Sequence, residues 1–288
     1  MSLLDVKNVS YSYSKNTLIH KEAIKNISFK LDKGEILGVI GHTGSGKSTL
    51  MKTLNGLIKP DNGKVFFNGR DIWEDPKNIS KICFKIGLVF QYPEYQLFEE
   101  TAYKDIAFGP KNLGLSDTEI DKRIKFVADK LGLSEDLLNS SPFDLSGGEK
   151  RKVAIGGIMA MKPEVLILDE PTAGLDPNAK EMLLKSIIEY KNSNNAAVII
   201  VSHSMEDMAK ICDEILVLNN GEAIMQDTTE NIFSKTNKLI EIGLDVPMIT
   251  RIFLKLKELN LVPTEKVFKV EDAVNVIINT INGGVNND

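Results

Sequence analysis

The sequence predicts an α/β fold, in which helices cover both faces of a parallel β-sheet. Residues 41–49 read Gly-His-Thr-Gly-Ser-Gly-Lys-Ser-Thr and match the phosphate-binding pattern G-x-x-x-x-G-K-[S/T] between an apolar, strand-like run and a helical pattern. Two more apolar runs, 165–168 and 197–201, flank an amphipathic helical pattern at 179–190. Because unbroken apolar strands joined through a helix are typical of a sheet buried on both faces, these observations predict a P-loop core.

Composition and charge exclude several classes of protein. The chain has 288 residues, with 42% hydrophobic and 26% charged residues, which is ordinary for a globular protein of one large or two smaller domains. A net charge of −5 argues against a dedicated nucleic-acid-binding protein, which usually carries a basic face. Cys83 and Cys212 lack metal-ligand spacing and are expected to be reduced thiols. No signal peptide and no apolar run of roughly 20 residues is present, so a membrane role requires another chain.

The N-terminal part is predicted to form an antiparallel sheet beside the parallel one. Apolar and polar residues alternate over 3–32, which predicts two strands joined by the polar hairpin loop 14–21. The phosphate-binding stretch follows an apolar strand at 36–40 and opens a helix that Gly56 is expected to end. Pro-Asp-Asn-Gly at 60–63 predicts a turn, and a short strand at 65–67 runs into the hairpin signal Asn68-Gly69.

The rest of the chain alternates between buried strands and helices. A strand at 86–90 ends at Gln91, and residues 101–145 are mostly helical in character, with expected breaks at Pro110, Gly114 and Pro142. An apolar helix at 153–161 ends before Pro163, and 215–218 with 222–225 predict a final hairpin. Beyond Ser234 we expect two amphipathic helices, one opening at Pro247 with the apolar face Ile249, Ile252, Phe253 and Leu256, and one at 271–281, followed by a disordered end at 282–288.

The glycine-rich stretch supplies what a polyphosphate needs. Backbone N–H groups can approach phosphate oxygens closely where no Cβ intrudes, at Gly41, Gly44 and Gly46. The helix that begins at Lys47 adds the positive end of its dipole, Lys47 can reach the β- and γ-phosphates, and the Ser48 hydroxyl can ligate magnesium. The predicted binding residues are Gly41, His42, Thr43, Gly44, Ser45, Gly46, Lys47, Ser48 and Thr49.

Two further motifs carry chemistry. Asp169 and Glu170 follow a buried strand, where the first carboxylate of a nucleotide site holds magnesium and the second orients or deprotonates a water; a surface Asp-Glu pair is the alternative. Ser146, Gly147 and Gly148 stand at a helix start and offer a second anion cradle, although the pattern alone favours an ordinary N-cap serine.

Taken in order, these motifs with Gln91, Gly174-Leu175-Asp176 and His203 resemble the ATP-binding-cassette (ABC) ATPase family over residues 3–234. The resemblance implies a P-loop NTPase core of ABC type with an antiparallel β-subdomain and an inserted helical subdomain at about 92–160. It implies an ABC nucleotide-binding domain at 1–233 and a small C-terminal helical dimerisation domain at 234–288.

The resemblance also implies a role for each matching residue, with ATP and Mg²⁺ as cofactors. Tyr13, or Tyr11 on the same strand face, would stack on adenine. Ser48, Gln91 and Asp169 would serve magnesium, and Glu170, His203 and Gln91 would act in hydrolysis. Ser146–Gly148 would contact the γ-phosphate of an opposite subunit, and Asp176 would couple the two sites. Glu149 departs from the family, which commonly has glutamine there.

Several segments are similar to the ATPase subunits of energy-coupling factor (ECF) transporters, which import vitamins and transition-metal micronutrients. They are 41–44, 90–98, 105–110, 173–177 and 243–247. The similarity is to the second ATPase subunit. It implies a heterodimer with a related ATPase at the cytoplasmic face of the membrane, together with a membrane-embedded coupling subunit and a substrate-binding membrane subunit, and no nucleic acid.

Alternatives to this interpretation remain. A dedicated cobalt or nickel importer, which would be a homodimer, is one, and a soluble, non-transport ABC ATPase is another. The large side chains Tyr92, Tyr95, Leu97 and Phe98 are expected to form a groove for a helix of the membrane subunit. Alternatively, they fill space in the helical subdomain.

Overall fold

A computed structural model describes residues 2–14, 21–264 and 266–284. The strands are β1 (Leu4–Tyr13), β2 (Lys21–Leu31), β3 (Ile36–Ile40), β4 (Asn62–Phe67), β5 (Arg70–Asp71), β6 (Ile86–Val89), β7 (Val165–Asp169), β8 (Ala197–Val201), β9 (Glu214–Asn219) and β10 (Glu222–Thr228). The helices are α1 (Lys47–Asn55), α2 (Ile79–Lys85), α3 (Ala102–Asn112), α4 (Asp117–Leu131), α5 (Glu135–Asn139), α6 (Gly147–Ala160), α7 (Pro177–Asn194), α8 (Met205–Ile211), α9 (Thr229–Ser234), α10 (Thr236–Glu241), α11 (Met248–Glu258) and α12 (Val270–Gly284).

Within the described residues the strands form two sheets, as predicted. The antiparallel sheet has the order β2-β1-β4-β5. Leu4 pairs with Leu31 on one side and with Phe67 on the other, which places β1 in its middle. Apart from its end residues 14 and 21, the predicted hairpin loop lies outside the described residues.

The second sheet has the order β10-β9-β3-β8-β7-β6 and is parallel from β9 to β6. Every residue of β3, β6, β7 and β8 is buried, which confirms the prediction from their unbroken apolar sequence. Because these strands are parallel, their carboxyl ends meet at one edge of the sheet. The residues that follow β3, β6, β7 and β8 therefore converge there.

The core divides along the two faces of this sheet. Leu37, Ile167 and Ile199 pack with the antiparallel sheet and α1 on one face. Leu166, Val198 and Ile200 pack with the helices on the other face. Neighbouring residues of a strand point to opposite faces, so a continuous apolar strand supplies both cores at once.

The helices follow the predicted pattern with specific differences. α1 begins at Lys47 and ends at Asn55, and the capping residue Gly56 has a φ of 89°, which only glycine adopts readily. The expected break at Pro110 is wrong, because this residue lies inside α3. Pro110 stands in the last turn, so the missing N–H removes a single hydrogen bond before the helix ends. The short helices α2 and α8 were not predicted.

The C-terminal part contains the two predicted helices, α11 and α12. The expected disorder at 282–288 is wrong for 282–284, which continue α12, and 285–288 lie outside the described residues. Leu239, Leu244 and Val246 pack in the large core of the parallel sheet, whereas Phe253 belongs to a small separate cluster. The division at 233/234 stays a prediction. None of the described helices is long and apolar enough to cross a bilayer.

Candidate functional site

The phosphate-binding loop links β3 to α1 and is held tightly by its neighbours. The N–H of Ser45 donates to the carbonyl of His42 at 3.1 Å, which closes a turn inside the loop. Gly46 has a φ of 102°, and a Cβ there would lie 2.5 Å from the carbonyl oxygen of Ala23 in β2. Only glycine is therefore compatible with this close contact between the loop and the antiparallel sheet.

Lys47 is buried within this loop, with 8% of its surface exposed. Its Nζ donates to the carbonyls of Gly41 at 2.6 Å and His42 at 3.0 Å. Burial lowers the pKa of its ammonium group, against the attraction of Glu170 and Asp169. Among the described residues, no carboxylate lies within ion-pair distance of Nζ, so the charge is free to pair with an incoming anion.

The side-chain oxygen atoms of Ser48 and Asp169 lie side by side at the carboxyl end of β7. The Ser48 hydroxyl donates to Asp169 Oδ2 at 2.8 Å. Burial raises the pKa of Asp169, while the bond from Ser48 and the charge of Lys47 oppose the shift. A hydroxyl and a carboxylate with the Gln91 side chain nearby are the hard oxygen ligands that Mg²⁺ prefers, so these residues fit that ion.

Glu170 combines a strained backbone with a buried carboxyl group. Its φ is 53°, and its N–H donates to the carbonyl of Val201 at 2.9 Å, which ties it to the end of β8. Burial raises the pKa of its carboxyl to about 7, and the backbone N–H of His203 partly opposes the shift. A carboxyl group with this pKa can accept a proton near neutral pH.

His203 lies beside Glu170 without closing off its carboxylate. His203 Nε2 is 3.4 Å from Glu170 Oε1. That oxygen is buried and accepts no hydrogen bond from the described residues. Burial, with the nearby Lys47 charge, lowers the pKa of His203, so its imidazole is neutral at physiological pH.

These groups line one cavity of about 280 Å³ where the phosphate-binding loop meets the carboxyl ends of the strands. Its walls are formed by Tyr13, Ala23, Thr43, Gly44, Gly46, Lys47, Ser48, Thr49, Gln91, Asp169, Glu170 and His203. Gly41, His42 and Ser45 belong to the loop but do not line the cavity. The cavity brings together groups that can cradle phosphate, ligate a metal ion and accept a proton, which are the components that nucleotide hydrolysis requires.

The structure distinguishes the two tyrosines of β1. Tyr13 lines the cavity, and its hydroxyl lies 3.3 Å from Thr49 Oγ1. Tyr11 packs against the core beneath it, and the two rings meet edge to face at 4.9 Å. Tyr13 is therefore the ring that is available to a base in the cavity.

Sequence reasoning missed two supporting residues. Ala23 of β2 forms part of the cavity wall. Asn219, at the end of β9, lies with its Oδ1 3.1 Å from His42 Nε2, while His42 Nδ1 is 2.8 Å from the carbonyl of Thr43. Neither belongs to a motif, because both act through tertiary contacts with the phosphate-binding loop.

The remaining predicted residues lie outside the cavity. Ser146 caps α6: its N–H and its hydroxyl both donate to Glu149 Oε2, at 2.8 and 2.6 Å, and Glu149 N–H returns a bond to the hydroxyl at 3.4 Å. Asp176 caps α7 by accepting from the N–H groups of Asn178 and Ala179. The isolated chain thus shows the N-cap alternative, and its cavity contains no donor from Ser146–Gly148.

The raised pKa of Glu170 predicts a pH dependence of stability. Because the pKa is near 4.5 unfolded and about 7 folded, the stabilisation by the neutral carboxyl is present below pH 4.5 and is lost as the pH rises through 7. Glu170→Gln removes this titration. We expect thermal denaturation from pH 5 to 8 to show a growing stability advantage of Glu170→Gln over the wild type. A pH-independent difference would contradict the assignment.

Comparison with known proteins decides the family. A model of the family described as ABC transporter matches residues 24–173, just over half of the chain. The chain belongs to the ABC transporter family. The α/β fold with a P-loop NTPase core of ABC type is thereby confirmed.

Relatives narrow the position within the ABC transporter family. The "Energy-coupling factor transporter ATP-binding protein EcfA2" of Caldanaerobacter subterraneus subsp. tengcongensis is 47% identical over 98% of this chain and 99% of its own length. The protein of that name from Clostridium tetani is 45% identical over 99% of each. The predicted similarity to ECF-type ATPase subunits is confirmed, and with it ATP hydrolysis coupled to transport as the activity of the family.

Solved structures of ABC transporter proteins have a similar fold. cbiO1 from Clostridium perfringens, described as part of the ABC transporter complex cbiONQ, superposes with a TM-score of 0.74 at 35% identity, over 87% of this chain and 97% of that chain. The ATP-binding cassette MJ0796, a dimer in a post-hydrolysis state bound to ADP and Pi, gives a TM-score of 0.72 at 28% identity, over 78% and 98%.

Proposed function

We propose that this chain is the ATP-hydrolysing subunit of an ECF-type importer at the cytoplasmic face of the cell membrane. It powers uptake of vitamins or other micronutrients through membrane-embedded partners. The observation that carries the proposal is the division of the predicted site: the cavity contains the phosphate-binding loop and Glu170, while Ser146–Gly148 and Asp176 lie outside it. A chain with half of a hydrolytic site needs a second ATPase subunit to complete it.

ATP is positioned by the loop. The N–H groups of the loop and the start of α1 bind the phosphates, Lys47 pairs with their charge, and Tyr13 stacks on the base. Ser48 and Asp169, with Gln91, would hold Mg²⁺, which would neutralise phosphate charge when bound. Glu170 Oε1 accepts a hydrogen bond, and then the proton, from the attacking water. His203 lies beside that oxygen and keeps the carboxylate facing the γ-phosphate.

The second half of each site comes from the partner ATPase. Ser146–Gly148 offer the hydroxyl and N–H groups at the start of α6 to ATP bound in the partner's cavity. Asp176 lies on the adjoining segment, where Leu175 approaches Gly148, and so couples the two sites. We assign 234–288 to dimerisation, with a related ATPase as the partner, because α12 exposes the apolar side chains of Val270, Val274, Ile277, Ile278 and Ile281.

A groove in the helical subdomain supports docking of a membrane-embedded coupling subunit. A substrate-binding membrane subunit would complete the transporter. This docking groove is lined by Phe84, Val89, Pro93, Gln96, Leu97, Phe98, Asp105, Phe108, Gly109, Asn112, Val153, Ala154, Gly157, Ile158 and Met161. Leu97 packs on the core, as the space-filling alternative expects, but Phe98 lines the groove and is 59% exposed. The prediction is wrong for Tyr92 and Tyr95, which are not among the groove's lining residues. Exposed aromatic side chains at an apolar groove suit an incoming helix.

Replacing Glu149 by glutamine is expected to lower the KM for ATP of the assembled complex by roughly two- to fivefold. The hydrogen bonds from Ser146 hold the pKa of Glu149 below its usual range, so a charged carboxylate occupies the donors intended for phosphate. Steady-state hydrolysis against ATP concentration measures the effect. Glu135→Gln, at the first turn of α5, is the matched control, and an unchanged KM in Glu149→Gln would refute the assignment.

Purification from membranes in mild detergent tests the proposed function. We expect the chain to copurify with a related ATPase and polytopic membrane proteins, and the complex to hydrolyse ATP. Recovery with a second copy of itself as the ATPase partner would favour a homodimeric cobalt or nickel importer. Recovery without any membrane protein would contradict both and favour a soluble ABC ATPase.

A further inference from the structure

Arg151 of α6 connects three segments that the proposed function uses separately. Its Nε and Nη2 donate to the two carboxylate oxygens of Glu94, at 3.2 and 2.9 Å, and its Nη1 donates to the carbonyl of Ala173. Arg151 is only 4% exposed, and the Glu94 side chain is 16% exposed. The guanidinium is thus almost fully withdrawn from water and satisfied by two other parts of the chain.

Each of the three segments belongs to a different part of the site. Glu94 lies in the short turn Pro93–Gln96, which follows Gln91 and contributes Pro93 and Gln96 to the docking groove. Arg151 stands one turn into the helix that Ser146 caps. Ala173 lies between Glu170, whose carbonyl accepts its N–H at 3.3 Å, and Asp176.

The chemistry of this contact favours a positioning role over a purely stabilising one. A buried ion pair loses much of its attraction to the desolvation of both charges, and an apolar pair of similar volume is often as stable. The forked guanidinium, however, fixes direction as well as distance, because its parallel bonds to a carboxylate hold both groups in one plane. A movement of Glu94 therefore carries Arg151, and with it the carbonyl of Ala173.

We propose that Arg151 is a positioning residue that transmits occupancy of the docking groove to the start of α6 and to the segment between Glu170 and Asp176. The inference rests on the proposed function. A partner helix in the groove displaces the turn Pro93–Gln96, and Glu94 and Arg151 convert that displacement into alignment of Ser146–Gly148 with the partner's ATP. The same contact sets the Glu170 segment through Ala173.

The test compares Arg151→Met with Arg123→Met in the membrane complex. Arg123 of α4 is chemically matched, since its Nε donates to Glu119 at 2.8 Å and its Nη1 donates to the carbonyls of Ala160 and Met161. Arg123 meets the docking groove at the backbone carbonyl of Met161, but it contacts neither the turn Pro93–Gln96 nor Ala173. Each variant removes a guanidinium that is largely withdrawn from water and donates to backbone carbonyls. Thermal denaturation of both variants therefore measures how much stability is lost when such a group is removed.

We expect Arg151→Met to lower kcat of the complex at least tenfold, with ATP affinity of the full chain alone unchanged within twofold. Arg123→Met should retain kcat within twofold. Arg151→Lys keeps the positive charge but not the forked guanidinium, and it should lower kcat as much as Arg151→Met does. Glu94→Gln combined with Arg151→Met should lower kcat no further than Arg151→Met does, because one pathway is removed twice.

Four results would overturn the inference. Equal losses of kcat in the two arginine variants would make the role structural, and full activity of Arg151→Lys would show that charge alone suffices. A hydrolysing wild-type complex with an unaffected Arg151→Met would overturn the coupling while leaving the proposed function in place. A wild-type complex that does not hydrolyse ATP would overturn the proposed function itself, and the inference with it.

Discussion

Replacing Glu170 by glutamine is expected to lower steady ATP turnover of the assembled complex by about 10²–10⁴-fold, the usual contribution of a general base. The amide keeps the size of the side chain but cannot take a proton at Oε1, the buried oxygen that accepts no hydrogen bond from the described residues. Its pKa of about 7 matches a base that must be available near neutral pH. Phosphate release at saturating ATP measures the effect.

The same variant should still bind ATP and close on its partner. Glu170 takes no part in the hydrogen bonds that Lys47 donates to the phosphate-binding loop, so nucleotide affinity should stay within a few-fold of wild type. Glu181→Gln, which changes an exposed carboxylate on α7 that pairs with Lys210, serves as control. Unchanged turnover in Glu170→Gln would remove Glu170 from the mechanism.

Lys47→Ala is expected to weaken ATP binding by roughly 10- to 150-fold, since a charged hydrogen bond contributes about 1.5–3 kcal/mol. Its ammonium is held at the carbonyls of Gly41 and His42 and is free of carboxylate partners within ion-pair distance among the described residues. Its charge is therefore available to the phosphates. Titration calorimetry of the full chain with ATP and magnesium measures the change.

The unfolding temperature of Lys47→Ala shows whether weaker ATP binding comes from the lost ammonium group or from a damaged fold. Burial lowers the pKa of Lys47, which means that burying the charged ammonium costs free energy of folding. Lys47→Ala should therefore unfold at the same or a higher temperature than the wild type. Lys52→Ala, in the last turn of α1 and outside the cavity lining, is the matched control. Wild-type ATP affinity in Lys47→Ala would contradict the phosphate-loop assignment.

Much of the fold follows from local pattern. The apolar runs at 165–168 and 197–201 predict strands that are buried on both faces. Successive residues of such a strand point into two different cores, so every position must be apolar. Glycine requirements are equally local: Gly56 ends α1 in a left-handed conformation whatever surrounds it. The P-loop sequence predicts both its strand–loop–helix geometry and its phosphate chemistry.

Other features could not be predicted from local pattern. Pro110 looked like a helix break, but its place in the last turn of α3 makes the lost hydrogen bond tolerable. Short helices such as α2 and α8 carry too few residues for a periodic signal. The end of α12 at 282–284 contains asparagine and glycine, whose propensities argue against the helix that the structure contains.

The sequence by itself determined the chemistry of this protein: the residues that can hold phosphate, ligate magnesium and accept a proton are readable because each reaction demands particular side chains at particular spacings. Only the tertiary structure decided their arrangement. Glu170 and His203 meet across neighbouring strands, and Arg151 joins segments 57 residues apart. The physical reason is that such contacts depend on which strand ends and helix starts are neighbours in space, and chain spacing does not encode that.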